Sequence, residues 1–114
     1  MLPLNRSSLE THAVPAHALL APLDLIYVIN LPYRADRRSE MAHQLVRVGL
    51  SFDDPQVVLF PAVRPTEPGA LPSIGARGCF LSHLGVLRDA LKKGARQILV
   101  LEDDANFTRR MVSA

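Results

Sequence analysis

Residues 97–104 read Gln97-Ile98-Leu99-Val100-Leu101-Glu102-Asp103-Asp104, with four apolar residues running straight into three carboxylates. An uninterrupted apolar run of this length suits a strand buried on both faces, as in a parallel sheet covered by helices. The carboxylates cannot share that burial, because desolvating unpaired charge is too costly. They are therefore expected at the carboxyl edge of the sheet, where open α/β folds bind ligands. Hard oxygen donors crowded at such an edge suit a divalent cation, Mn²⁺ or Mg²⁺, and through it a phosphate. Residues two apart in extended backbone point the same way, so Glu102 and Asp104 form the candidate metal pair and Asp103 faces elsewhere. The competing reading is that these acids cap a following helix or face water.

Working outward, the same pattern recurs upstream. Leu25-Ile26-Tyr27-Val28-Ile29 is a first buried strand ending at Asn30, and Pro32 prevents its continuation. Asp36 suits the N-cap of a helix through about Val48, with Met41, Leu45 and Val48 on one face and Gly49 at its end. Val57-Val58-Leu59-Phe60 is a short second strand closed by Pro61, and a loop rich in proline and glycine follows. A second helix begins at Ser73 or Ile74 and runs to about Lys93, with Phe80, Leu84, Leu87 and Leu91 as its apolar stripe and Gly94 beyond it. The resulting order, β-α-β-α-β, predicts a Rossmann-like half-domain of the α/β class around a parallel sheet. Residues 1–23 carry three prolines and no sustained period, and read as an irregular N-terminal arm.

The bulk properties narrow the function classes. The chain has 114 residues, enough for one modest core, with 48% hydrophobic and 21% charged residues. A net charge of +2 is too balanced to make nucleic acid the main partner. The single Cys79 rules out an internal disulfide and is compatible with a reducing compartment. No signal peptide is evident, and the apolar stretch 13–31 is broken by Pro15, His17, Pro22, Asp24 and Asn30. A cytoplasmic protein is the expectation.

Two further segments carry chemistry. The first strand exits into Asn30-Leu31-Pro32-Tyr33-Arg34-Ala35-Asp36-Arg37-Arg38, at a place where α/β folds hold phosphates or nucleotides. Arg34 and Arg38 offer forked donors for phosphate, and Asp36 can accept from ribose or base. Equally, Asp36 can be a simple cap and the arginines solvated. No Gly-x-Gly-x-x-Gly or Gly-Lys-Ser/Thr pattern is present, which disfavours dinucleotide and P-loop sites. The third segment, Gly75-Ala76-Arg77-Gly78-Cys79-Phe80-Leu81-Ser82-His83-Leu84, places two glycines near a helix start, where backbone or ligand can approach closely. Adjacent helical residues diverge by about 100°, so Ser82 and His83 are no nucleophilic dyad. Cys79 reads as inert packing, and His12, His17 and His43 lack the spacing of a zinc site.

Together the three segments resemble glycosyltransferase family 25, over roughly residues 25–107. The matching stretches are Ile26 to Pro32 with Arg34, Asp36, Arg37 and Arg38; Gly78 to Leu84; and Ile98 to Asp104. Tyr33 stands where many relatives would have a basic residue. The resemblance implies a GT-A fold that transfers a hexose, commonly galactose, from a UDP-sugar to a lipopolysaccharide or other glycan acceptor with inversion. It implies that Glu102-Asp103-Asp104 acts as a DxD-type motif for Mn²⁺ or Mg²⁺, Asp104 first and Glu102 next. It also implies that Asn30, Arg34, Asp36, Arg38, Gly78, Ser82 and His83 face the nucleotide sugar.

In that family the acceptor pocket and general base follow the acidic motif, whereas this sequence ends ten residues beyond Asp104. Residues 24–114 are thus expected to be a partial, donor-binding domain. The alternative is a non-catalytic remnant that binds nucleotide and metal or assembles with another chain. An unfinished sheet edge would favour oligomers, and a peripheral place at the inner membrane fits a lipid-linked acceptor. A receiver-type phosphoacceptor domain is the remaining class. It is disfavoured because the acids close the last strand rather than the first.

Overall fold

The computed structural model describes residues 16–113. In chain order the elements are α1 (Ala16–Leu20), β1 (Leu25–Asn30), α2 (Ala35–Arg47), β2 (Val57–Pro61), α3 (Ile74–Lys92), β3 (Ile98–Glu102) and α4 (Arg109–Ser113). This is an α/β architecture with the expected β-α-β-α-β order. The first fifteen residues of the expected N-terminal arm lie outside the described residues, and residues 16–20 form the short α1.

The three strands make one parallel sheet in the order β2-β1-β3. Ile26 to Asn30 pair with Val57 to Pro61, and Leu25 to Ile29 pair with Ile98 to Glu102. Pro61 is therefore the last strand residue rather than the stop after it. β1 is central, and its side chains alternate between two cores. Ile26 and Val28 pack with Met41, Leu45 and Val48 from α2 and its C-cap, on the face where Leu99 and Leu101 also lie. Tyr27 and Ile29 pack with Val86 and Ala90 of α3, joined by Ile98 and Val100. The chain moves outward from β1 to β2, then crosses back to β3 on the other side of β1. Crossovers in opposite directions put α2 and α3 on opposite faces. The crevice between the carboxyl ends of β1 and β3 is the switch point of the sheet.

Both long helices end as the glycines predict. Gly49 and Gly94 have φ of +78° and +74°. The amide of Leu50 donates to Leu45 and that of Ala95 to Ala90, the six-to-one bonds that close a helix over a left-handed glycine. Two polar side chains stitch the amino edge of the sheet. Asp24 accepts from the backbone amides of Arg96 and Gln97 at 2.7 and 2.9 Å, and Gln56 Nε2 donates to the carbonyls of Leu20 and Leu23. The amide bonds, from Gln97 first and then Arg96, hold the Asp24 carboxyl below the ordinary carboxylate range.

Three expectations are corrected. Asp36 is not the N-cap of α2: Arg34 holds that position, no side chain caps the helix, and Asp36 lies in the first turn. Its carboxylate is instead gripped by the Arg34 guanidinium, at 3.0 and 2.9 Å. The predicted stripe of α3 faces outward: Phe80, Leu87 and Leu91 are 58%, 53% and 78% exposed, and Leu84 is half-buried. The face against the sheet is Gly78, Ser82, Val86 and Ala90. Close approach requires glycine at two positions, since a Cβ on Gly78 would meet the Val63 carbonyl oxygen at 2.7 Å and one on Gly85 the Phe60 ring at 3.0 Å. Finally, β3 is half-buried rather than fully covered, for it pairs only with β1 among the described residues.

These assignments predict opposite responses to similar substitutions. Leu45→Ala should lower unfolding stability by about 2–5 kcal/mol, whereas Leu91→Gln should change it by no more than about 0.5 kcal/mol in urea titrations. Asp24 stabilises the fold above its unfolded pKa, and this contribution is lost as pH falls through its lower folded value. Asp24→Asn should therefore destabilise at neutral pH, with the gap to the parent chain closing below pH ~3.9.

Candidate functional site

A cavity of about 490 Å³ opens at the carboxyl edge of the sheet, over the β1–β3 switch point. That size suits a small organic ligand. Its walls come from four places: the start of α2 with Arg34 at the N-cap and Arg37 in the first turn, the β2–α3 loop with Val63, Arg64 and Pro65, the first turns of α3 with Gly75, Gly78, Cys79, Ser82 and His83, and the end of β3 and the turn after it with Glu102, Asp103 and Asp104. Three arginines and three carboxylates thus share one concavity.

The two loops flanking the crevice are tied by one buried amide. Asn30 is 2% exposed at the last position of β1. Its Nδ2 donates to Asp103 Oδ2 at 2.9 Å and to the Arg34 carbonyl at 3.2 Å, while its Oδ1 accepts from Arg38 Nη1 at 2.9 Å. Arg38 also donates to the Pro32 carbonyl. A buried amide must find such partners, and here the partners are the neighbouring loops themselves. Asn30 and Arg38 accordingly brace the site from behind, and Arg38 is not among the lining residues.

The acidic residues do not form the extended pair that their spacing suggests. β3 ends at Glu102, and the chain then turns, with the Ala105 amide donating to the Glu102 carbonyl at 3.0 Å. Side-chain alternation stops at that turn. Glu102 continues the face of Ile98 and Val100 toward α3, Asp103 reaches Asn30, and Asp104 joins the cavity wall. Glu102 and Asp104 share the cavity, and so does Asp103, which the sequence pattern sends elsewhere.

Around Glu102 lies a group that sequence reasoning missed. Its Oε1 is 3.6 Å from Cys79 Sγ and 3.7 Å from His83 Nε2, and the three ligand-capable atoms lie within 4.8 Å of one another. Cys79 is exposed, not inert packing. Desolvation first, then the Glu102 charge, pushes its thiol above the ordinary value. The available signal was the four-residue spacing of Cys79 and His83, which puts both on one helix face. Ser82 has a different task. Its hydroxyl donates to the Gly78 carbonyl at 2.7 Å and accepts from the Val63 amide at 2.8 Å, pinning the β2–α3 loop against the helix.

Arg64 was also missed. It lines the cavity, hydrogen-bonds the Tyr33 hydroxyl, and lies 5.8 Å from the centre of that ring. Arg34 is half committed to Asp36, and the pairing holds the Asp36 carboxyl well below its usual range. Asp36 is therefore occupied by a neighbour rather than presented as a free acceptor.

Comparison with known proteins places these residues in a family. Residues 58–113 match the profile described as glycosyltransferase family 25 (LPS biosynthesis protein). The chain is 32% identical over 106 aligned residues to a glycosyltransferase 25 family member of Drosophila melanogaster, covering 75% of this chain and 16% of the relative. It is 29% identical over 100 residues to the inactive glycosyltransferase 25 family member 3 of Homo sapiens, covering 74% and 17%. It is 26% identical over 100 residues to procollagen galactosyltransferase 1-B of Xenopus laevis, covering 74% and 16%. The chain thus spans about one-sixth of the length of these curated relatives. No solved structure gives a significant match.

The geometry predicts that the wall between β2 and α3 is intolerant of small changes. Ser82→Ala leaves the Val63 amide without its partner and should cost about 1–3 kcal/mol in chemical unfolding. Gly78→Ala drives a methyl into the Val63 carbonyl and should destabilise by a comparable amount, about 1–3 kcal/mol.

Proposed function

From a chain that belongs to glycosyltransferase family 25, we propose a donor-binding domain for hexosyl transfer from a nucleoside diphosphate sugar, with UDP-galactose the first candidate. The observation that carries this reading is the single cavity in which Arg34, Arg37 and Arg64 share the wall with Glu102, Asp103 and Asp104. A diphosphate needs cationic donors, and a divalent cation bridging it to the protein needs hard oxygen ligands. Both lie at the switch point, where α/β folds bind nucleotides.

The donor set fits Mn²⁺ or Mg²⁺, because all three acids reach the cavity and carboxylate oxygens suit these ions. Asp104 and Glu102 would hold the ion, with Asp103 oriented behind them by Asn30. When bound, the ion neutralises charge on the diphosphate oxygens. Arg34 at the N-cap of α2 and Arg37 in its first turn would stabilise the same charge as it grows on the leaving group. In an inverting transfer the acceptor hydroxyl oxygen bonds to the anomeric carbon on the face opposite the departing diphosphate. The carbon–oxygen bond to the diphosphate breaks with its electron pair, and the hydroxyl proton passes to a base. The acceptor is proposed to be lipopolysaccharide or another glycan. Of Ser82 and His83, only His83 has polar atoms turned to the cavity side chains.

A second reading is that the domain binds donor and metal without transfer, alone or assembled with a partner chain. The word inactive in the names of several relatives at similar identity favours it. A peripheral place at the inner membrane is part of the proposal; no helix among the described residues is long and apolar enough to cross a membrane.

Calorimetry with UDP and UDP-galactose, with and without Mn²⁺, tests the proposal. Binding is expected to depend on the metal. Arg37→Ala and Asp104→Asn are each expected to weaken it by roughly tenfold or more, the worth of a charged contact. Metal-dependent binding without release of sugar favours the second reading. Absence of nucleotide binding under both conditions overturns the proposal.

A further inference from the structure

The structure assigns a second and chemically different metal site to the Cys79–His83–Glu102 cluster: we propose that it binds a borderline-soft divalent cation, Zn²⁺, through Sγ, Nε2 and Oε1. This inference does not rest on the glycosyltransferase reading, although the two metal sites have Glu102 in common. The three atoms come from two elements that the fold brings together. Cys79 and His83 lie one turn apart on α3, and Glu102 ends β3. The two distances to Glu102 are already close to those of a tetrahedral zinc centre, and sulfur and nitrogen lie within 4.8 Å of each other. Zn–S of ~2.3 Å and Zn–O of ~2.1 Å at tetrahedral angles place sulfur and oxygen ~3.6 Å apart, and imidazole nitrogen and oxygen ~3.4 Å apart. The observed separations are 3.6 and 3.7 Å.

The ligand types decide which ion. A thiolate and an imidazole favour zinc over magnesium or manganese, which prefer an all-oxygen shell. Asp104 lies outside the cluster, so this set shares only Glu102 with the carboxylate pair proposed for the donor cation. Three protein ligands leave a fourth tetrahedral position, and all three side chains line the cavity, where water or an anionic ligand has access. The Cys79 thiol would release its proton on binding, since thiolate is the ligating form.

The test uses the full chain, freed of metal by a chelator and titrated with Zn²⁺ and with Co²⁺ as a spectroscopic probe. One equivalent of Co²⁺ should produce a thiolate-to-cobalt charge-transfer band together with the visible bands of a tetrahedral ion. Zn²⁺ should abolish both, while Mn²⁺ in excess should not. Cys79→Ser should remove the charge-transfer band and weaken Zn²⁺ binding by roughly tenfold or more. His83→Ala and Glu102→Gln should weaken it comparably, and Asp104→Asn should leave it within about twofold. Circular dichroism on each variant checks that its fold is retained. Zn²⁺ affinity that is unchanged in folded Cys79→Ser, or a cobalt complex lacking the thiolate band, overturns the assignment.

Discussion

The site depends on the need of one buried amide to satisfy its hydrogen bonds. Asn30 closes the central strand almost fully buried, and protein groups satisfy both ends of its side-chain amide. They are Asp103 from the end of β3, the Arg34 carbonyl from the turn after β1, and Arg38 from the first turns of α2. A single side chain thereby fixes the distance between the arginine-bearing and carboxylate-bearing loops. The sheet order makes this possible, because β1 and β3 are hydrogen-bonded neighbours whose carboxyl ends lie side by side.

The opposite wall is fixed by close packing rather than by charge. α3 approaches the sheet with Gly78, Ser82, Val86 and Ala90, and the Ser82 hydroxyl holds the β2–α3 loop to the helix. This brings Arg64 to the cavity on one side and Cys79 and His83 to Glu102 on the other. Tyr27, fully buried beneath the helix, donates from its hydroxyl to Asp89 at 2.7 Å, and Lys93 completes the pair at 2.9 Å. Burial and that carboxylate push the phenol well above its ordinary pKa.

The strands were legible because a continuous run such as Leu25 to Ile29 has few alternatives to a covered parallel strand. The helix ends were legible because Gly49 and Gly94 take up a backbone conformation that other residues resist. The orientation of α3 was not. A stripe of large apolar residues normally marks the buried face, but here the helix meets the sheet through Gly78, Ser82, Val86 and Ala90, and Phe80, Leu87 and Leu91 point away. In the site, the convergence of the Asn30–Arg38 loop with the acidic segment follows from sequence order and the rules of α/β folds. The turn after Glu102 does not, and it redistributes the three acids. Nor could spacing alone bring Arg64 from an irregular loop to the arginines 27 and 30 positions earlier. Asn30, Arg38 and Ser82 are polar residues in the right place whose hydrogen bonds hold the walls in position.

The account centres on one cavity where the arginine loop and the acidic turn meet the same ligand. Amide chemical-shift mapping during addition of UDP with Mg²⁺ tests this most directly. The account predicts perturbations concentrated in residues 30–38, 62–65, 75–83 and 102–105, and broadening centred on 102–104 when Mn²⁺ replaces Mg²⁺. Perturbations confined to the outer face of α2 or α3, or to only one of the two loops, would contradict it.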